Sequence, residues 1–256
     1  MALTLSVAII TKNEESNLER TLKSVRWANE IVTVDCGSTD RTAEIAQSFG
    51  AKCFVEAWQG FGAQKNLAIA KCTADWVLAL DADEEVSAEL AAEIRQMLAG
   101  TPAYEAYLLP RRNYFLSRWI RHGGYYPDPK LRLFRRGGFQ FEERAVHETI
   151  QAKGPVGRMR GELIHHAYPT LDGYIEHMNR YSALGAGQAL ERGKTSRGWA
   201  AFLWRVIAVP VATFKYNYFF RLGFLDGREG LLLHLYHSTY VSWKYAKAWE
   251  RGGRSK

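Results

Sequence analysis

Over the first hundred residues, short apolar runs alternate with stretches of helical spacing, and nothing else in the sequence constrains the fold as strongly. The order is LTLSVAII, ESNLERTLKSV, EIVTVD, STDRTAEIAQSFG, AKCFVEA, QKNLAIAK and ADWVLALD. Strands that alternate with helices are joined by right-handed crossovers, which makes the sheet largely parallel. The chain is therefore expected to be α/β and to open with a Rossmann-like half. Leu18, Leu22 and Val25 recur at helical spacing, and Gly50 stands where a helix would end.

Beyond Thr101 the pattern turns irregular and rich in Arg, Gly and aromatics, a composition too ordered for a linker. Residues 101–193 are read as the second half of the same domain, with KLRLF and GELIHHAY as strands, so the domain is expected to span 1–193. A chain of 256 residues with 47% hydrophobic content can bury a core of that size. Residues 194–256 form a helical extension, and the basic charge is concentrated there: 11 Lys and Arg stand against 3 Asp and Glu. Cys36, Cys53 and Cys72 have no CxxC spacing and no even-numbered framework, which argues against a zinc site or disulfide scaffold and fits a reducing cytoplasm. The opening MALTLSVAIITKNEE lacks the grammar of a signal peptide and reads as a first strand.

In parallel α/β sheets, ligands gather at the carboxyl ends of the strands. Three expected strands end there in polar clusters: Thr11 to Glu14, Asp35 to Asp40, and Asp81-Ala82-Asp83. The last follows the buried-type run VLAL and heads a set of four acids with Glu84 and Glu85, whose charge needs water, a cation or a helix N-terminus. Asp81 and Asp83 flank one small residue and can share a hard divalent ion, which in turn suits a diphosphate. The plainer alternative is a solvated strand end with Asp83 as a helix cap. For Asp35 and Asp40 the local alternative is a turn at Gly37 followed by a cap, and for Asp40 that local role is the expectation.

The segments SVAIITKNEE, VDCGSTDRT and GFGAQKNLAIAKCTADWVLALDADEE together resemble the successive motifs of family 2 glycosyltransferases, inverting enzymes of the GT-A fold, over about the first ninety residues. A narrower resemblance, through PDPKLRLFRR, AVHE and LIHHAYPTLDGYIEHMNRYS, is to bacterial lipopolysaccharide-core glycosyltransferases that add glucose to an inner-core heptose. The resemblance implies a nucleotide-sugar donor, a UDP-sugar in the first instance, and a lipopolysaccharide-core acceptor. It implies Asp81 and Asp83 as the DxD pair meeting ribose and a Mg²⁺ or Mn²⁺ on the diphosphate. Thr11, Glu14 and Asp35 match positions facing the nucleoside, and Lys65 matches a basic position near base or phosphate. Many relatives carry two adjacent acids where this chain has Asp35-Cys36, which weakens the case for uracil specifically.

Inverting transfer needs a base for the acceptor hydroxyl. Glu142, Glu143 and Glu148 are the candidates, and AVHE points to Glu148, with His147 beside it. Arg132 is a candidate clasp for diphosphate or an anionic acceptor, Arg135 less so, and Lys130 lies near both. Of His165 and His166, adjacent on a strand and so on opposite faces, at most one can meet an ion, and a structural role for both is the expectation. A polyprenyl phosphate or another surface glycan stays open as acceptor, as does a non-catalytic membrane adaptor that retains only the sheet. A sugar-phosphate nucleotidyltransferase would open with a Gly-rich triphosphate loop, which ITKNEESN lacks.

The 17 residues Gly198 to Phe214 contain Arg205 and Pro210, which argues against a transmembrane span. Trp199, Phe202, Leu203 and Val206 recur at helical spacing, and Tyr216, Tyr218, Phe219 and Phe220 follow beside Lys215 and Arg221. Apolar surface beside positive charge is what a helix in an anionic membrane interface needs, so peripheral contact with the cytoplasmic face of the inner membrane is expected. The alternative is packing on the catalytic domain or in a homo-oligomer. Nucleic acid is not expected, because the tail has no reading module.

Overall fold

A computed structural model describes residues 2–142, 150, 152, 154–194 and 198–253, of which Gly253 by backbone alone. The chain divides into two compact units, the first comprising residues 1–112 and 128–165, the second 113–127 and 166–256.

The first unit contains the expected alternation: β1 (Leu5–Thr11), α1 (Leu18–Ser24), β2 (Glu30–Asp35), α2 (Thr42–Ser48), β3 (Lys52–Val55), α3 (Phe61–Ala70) and β4 (Trp76–Asp81). After these come β5 (Glu84–Val86), α4 (Ala88–Ala99) and β6 (Ala106–Leu109). Strand β7 (Arg111–Phe115) leads into the second unit, as does β11 (Leu163–Tyr168), while β9 (Lys130–Arg135) and β10 (Gly157–Arg158) lie in the first. The main sheet has seven strands in the order β10-β6-β9-β4-β1-β2-β3. β1 pairs parallel with β2 and β4, and β9 runs antiparallel to β4 and β6.

Alternation along the central strands makes two cores. Leu5, Val7 and Ile9 of β1 join Trp76, Leu78 and Leu80 of β4 on one face with α1 and α4, while Ala8, Val77 and Ala79 face α3 on the other. The acids therefore stand at the end of a strand buried on both sides. Register then fixes the neighbours: Ile10 lies opposite Asp81 and Thr11 opposite Asp35.

Directly after β4 the chain turns into β5, which pairs antiparallel with β11 and sets Glu84 opposite His165. Ser87 caps α4 by accepting from Leu90 N–H and also accepts from Glu162 N–H. Gly161 passes so close to α4 that a Cβ there would lie 2.3 Å from Leu90 Cα.

The second unit holds the hairpin β7–β8 (Arg118–Ile120), the long helix α5 (Leu171–Glu191) and a helical C-terminal part. That part runs as α6 (Trp199–Leu203), a π-helical turn (Trp204–Ala208), α7 (Val209–Lys215), a second π-helical turn (Tyr216–Phe220), a 3₁₀ turn (Gly223–Asp226) and α8 (Gly227–Gly253). Ala186 and Ala189 of α5 pack on Ala248 of α8, and Lys247 bonds Asn179 and Ser182 of α5. So α5 belongs with the C-terminal helices, whereas the change in charge put the boundary at 193/194. Charge changes there; packing partners change earlier, at 165/166.

Substituting Gly161→Ala forces α4 and the approach to β11 apart. It is expected to lower the unfolding free energy by about 1–3 kcal/mol. The check is a urea titration in which the midpoint falls at unchanged slope.

Candidate active site

The carboxyl ends of β1, β2 and β4 meet in the first unit, and each brings a polar loop. Thr11 Oγ1 donates to Asp35 Oδ1 at 2.9 Å. Ser38 Oγ also donates to Oδ1, and the N–H groups of Gly37 and Ser38 donate to Oδ2 at 2.9 and 2.7 Å. Gly37 takes a φ of 78°, the left-handed conformation this return needs. Four donors thus close the β2 loop around the buried Asp35 carboxylate, the local role weighed for it from sequence. Asp40 accepts from Thr42 N–H at the start of α2 and from Glu15 N–H, so its local role is also met.

The β1 loop is laced to the β2 loop in turn. Asn13, at a φ of 55°, accepts from Thr39 N–H through its side chain and donates its own N–H to Ser38 Oγ. Glu14 donates its N–H to Thr42 Oγ1 and accepts from Asn17 Nδ2. Burial pushes the Glu14 carboxyl up, the Asn17 amide pulls against this, and the charges of Asp83, Asp40 and Asp81 push it further. Glu14 therefore shares one negative field with the acids after β4.

Asp81 is held between two cations. Lys65, buried on α3, lies 2.7 Å from Oδ1, and Arg132, buried on β9, lies 2.5 Å from Oδ2. Burial opposes charge on Asp81, but Arg132 and Lys65 outweigh it and hold the carboxyl far below the usual carboxylate range. Both cations also lie over the Phe141 ring, at 5.2 and 5.8 Å from its centroid. Asn66 fixes that ring by exchanging two hydrogen bonds with the Phe141 main chain.

Glu84 is fully buried and ties the region together. Its Oε1 accepts from Arg111 at 2.9 Å and Arg132 at 3.3 Å, and its Oε2 accepts from Asp81 N–H at 3.0 Å. Arg111 reaches on to Asp128, which also pairs with Lys130 at 2.9 Å. Thr21 Oγ1 on α1 donates to the Ala82 carbonyl, so the acid loop is held from the helix side as well.

Asp83 meets His165, with Oδ2 and Nε2 3.3 Å apart. Burial opposes charge on Asp83 and Asp81 repels it, but His165 and then Arg111 hold the carboxyl below its ordinary value. His166 faces the other way, stacking on Tyr114 at 5.5 Å in the second unit.

Of the residues singled out from sequence, Asp81, Lys65 and Arg132 are brought into one ion-pair cluster, Asp83 and Glu14 lie beside it, and Thr11 and Asp35 form the adjoining loop contact. Arg135 is exposed and pairs with Glu105, the plain strand role weighed for it. Glu143, His147 and Glu148, including the carboxylate expected as base, lie outside the described residues. Sequence reasoning missed Glu84, Arg111 and Asp128 as partners. Glu84 read as one more solvated acid, and no spacing rule links it to Arg111.

Chemically the edge offers cations committed to acids, two donor atoms at Asp83 and His165, and a raised carboxyl at Glu14. Among the described residues no group of three or more His, Cys, Asp or Glu side chains is arranged to hold a metal ion by itself.

The sequence pattern of "Glycosyl transferase family 2" matches residues 6–159. "Lipopolysaccharide core biosynthesis glycosyltransferase LpsC" of Rhizobium meliloti is 32% identical, over 97% of this chain and 93% of that protein. An uncharacterized glycosyltransferase of Rickettsia typhi is 30% identical over 89% of this chain and 80% of its own length. Among solved structures, residues 1–349 of Staphylococcus aureus TarS align at a TM-score of 0.48 and 14% identity, covering 99% of this chain and 92% of that one.

Glu84→Gln keeps the side-chain shape but removes the fully buried charge that Arg111 and Arg132 share, leaving them the partly exposed Asp128 and Asp81. Its unfolding free energy is expected to fall by about 3–5 kcal/mol. Glu105→Gln, which breaks an exposed pair, is expected to stay within about 1 kcal/mol of the parent in the same urea titration.

Proposed function

The chain belongs to glycosyl transferase family 2 and is a glycosyltransferase, and from that premise we propose that it moves a hexose, glucose foremost, with inversion from a UDP-sugar to a lipopolysaccharide-core acceptor. The observation that carries the donor half is the pairing of Asp83 with His165 beside an Asp81 whose two oxygens are held by Lys65 and Arg132. The acceptor half rests on the likeness to LpsC along nearly the whole chain.

A divalent ion fits the residues present, with a shift in which ones would hold it. Donors on adjacent positions of an octahedral ion with bonds of about 2.1 Å are about 3 Å apart. Asp83 Oδ2 and His165 Nε2 lie 3.3 Å apart, whereas Asp81 is engaged by cations on both oxygens. Asp83 and His165 would therefore hold Mg²⁺ or Mn²⁺, leaving other positions to diphosphate oxygens and water, and Asp81 would orient ribose and its two cations. The chemistry such an ion supplies is neutralisation of the charge that develops on the leaving diphosphate.

The chain's own residues do the rest in this reading. Thr11, Glu14 and Asp35 line the nucleoside side, with Asp35 acting through the loop it closes. Lys65 and Arg132 are shared between Asp81 and the arriving phosphates. Glu148 takes the proton from the acceptor hydroxyl as its oxygen bonds to the anomeric carbon and the bond to the diphosphate breaks. The acceptor is lipid-borne, and the enzyme works at the cytoplasmic face of the inner membrane.

The test is nucleotide release from a panel of nucleotide sugars with Mg²⁺, Mn²⁺ or chelator, with and without deacylated core oligosaccharide, and with a polyprenyl phosphate as second acceptor. UDP-glucose turnover is expected to need metal and to rise with the core acceptor. Asp83→Asn should remove turnover, and His165→Ala should raise the half-saturating metal concentration roughly 10–100-fold. Metal-indifferent release, or full turnover by Asp83→Asn, rejects the donor-site reading. Glu148→Gln is expected to lose transfer while still binding UDP, and retained transfer removes Glu148 as base.

A further inference from the structure

The C-terminal part of the second unit buries one face of residues 199–220 and leaves the other uncovered. The packed face is set by three contacts with α8. Phe202 meets Trp249 at 5.1 Å between ring centroids. Pro210 is buried and has no N–H to offer the Val206 carbonyl one turn earlier, and that carbonyl accepts from Ser242 Oγ at 2.8 Å instead. Tyr218 lies against the buried His234 ring, 6.2 Å away. Residues 202, 206, 210 and 218 thus define one stripe, and the rotation of the segment about its axis is fixed.

The same segment carries Trp199, Trp204, Ile207, Tyr216, Phe219 and Phe220, which are 53 to 79% exposed. Isolated exposed apolar side chains are ordinary, but six large ones, five of them aromatic and all more than half exposed in one 22-residue segment, mark a binding surface. Charge identifies the occupant. From Arg192 to Leu225 the chain has six Lys and Arg and no Asp or Glu. All of these except Arg197 lie among the described residues, with Arg205 and Lys215 within the helical segment and Arg221 directly after it. A second copy docked through a two-fold axis would bring cation onto cation with no acid in the segment to pair them. An anionic lipid surface satisfies the charge and the apolar row together. Trp and Tyr are the side chains that favour the headgroup level. No helix among the described residues is long and apolar enough to cross a membrane, so the segment would lie in the interface plane.

We propose that the exposed row of residues 199–220 is a docking surface for an anionic lipid bilayer, which the segment enters edge-on with its aromatic side chains while Lys215 and Arg221 meet the headgroup phosphates. This rests on the reading that the acceptor is lipid-borne, and names the surface that reaches it. Its primary readout, flotation, needs neither donor nor acceptor.

The full chain is mixed with phosphatidylcholine vesicles, with or without phosphatidylglycerol, and floated through a density gradient. It is expected to float with the phosphatidylglycerol vesicles, less so without that lipid, and less at high salt. The double variant Trp204→Ser, Phe220→Ser is expected to partition on the order of tenfold more weakly. Lys215→Glu, a milder change on the same surface, should weaken binding to the anionic vesicles only. Unfolding midpoints and turnover on soluble acceptor should match the parent for both. A parent chain that stays at the bottom of the gradient overturns the proposal, as does a double variant that floats like the parent. A soluble dimer that the same two substitutions dissociate also overturns it, since the row is then a subunit interface. Flotation without turnover would count against the donor site alone, and turnover without flotation against this surface alone.

Discussion

The site depends on how the chain buries Glu84. A carboxylate out of water is costly unless it is paired and its lone pairs are used. Here Arg111, Arg132 and the N–H of Asp81 use them. The last of these bonds folds the β4 end back on itself, so that Asp81 and Asp83 diverge instead of pointing along an extended strand. Asp81 turns to Lys65 and Arg132, and Asp83 to His165. One buried acid therefore assigns different partners to two acids that look equivalent in sequence. The same residue begins β5, and the pairing of β5 with β11 is what carries His165 to Asp83.

That arrangement has an electrostatic consequence for any anionic ligand. Lys65 and Arg132 are already committed to Asp81, and Arg111 to Glu84 and Asp128. A diphosphate must share these cations, while Glu14 and Asp83 face it with like charge. Burial first, and then the charges of Asp83, Asp40 and Asp81, push the Glu14 carboxyl up. A divalent ion at Asp83 would offset the repulsion, and this is the physical reason that the donor reading and the metal reading stand together.

The sequence made the sheet legible because its signals are local. Apolar runs of seven or six residues such as LSVAIIT and WVLALD are long enough to read, and the acids at their ends mark the carboxyl edge. Gly37 and Asp40 declare their turn within a few positions. The ion-pair partners were not legible for the opposite reason. Arg111 and Glu84 are 27 positions apart, and Asp83 meets His165 only through a three-residue strand with no period to detect. Glu84 and Glu85 look alike in sequence, and tertiary pairing alone makes the first a buried hub. The boundary expected at 193/194 marks the change in charge, whereas the small residues Gly185, Ala186 and Ala189 fit α5 to α8.

The C-terminal segment shows the same limit from the other side. Residues 199–220 are apolar around most of the helix circumference, a composition that leaves the buried face undetermined. Packing against one helix can cover only about half of such a surface. Pro210 breaks the tie, because its missing N–H frees the Val206 carbonyl, which accepts from Ser242 Oγ on that side. The rest of the circumference is then left to solvent, with no acid to make it soluble and several cations to attract an anionic layer. A buried proline on the packed side thus determines which aromatics stand outward, and the surface chemistry follows from a backbone constraint on the opposite face.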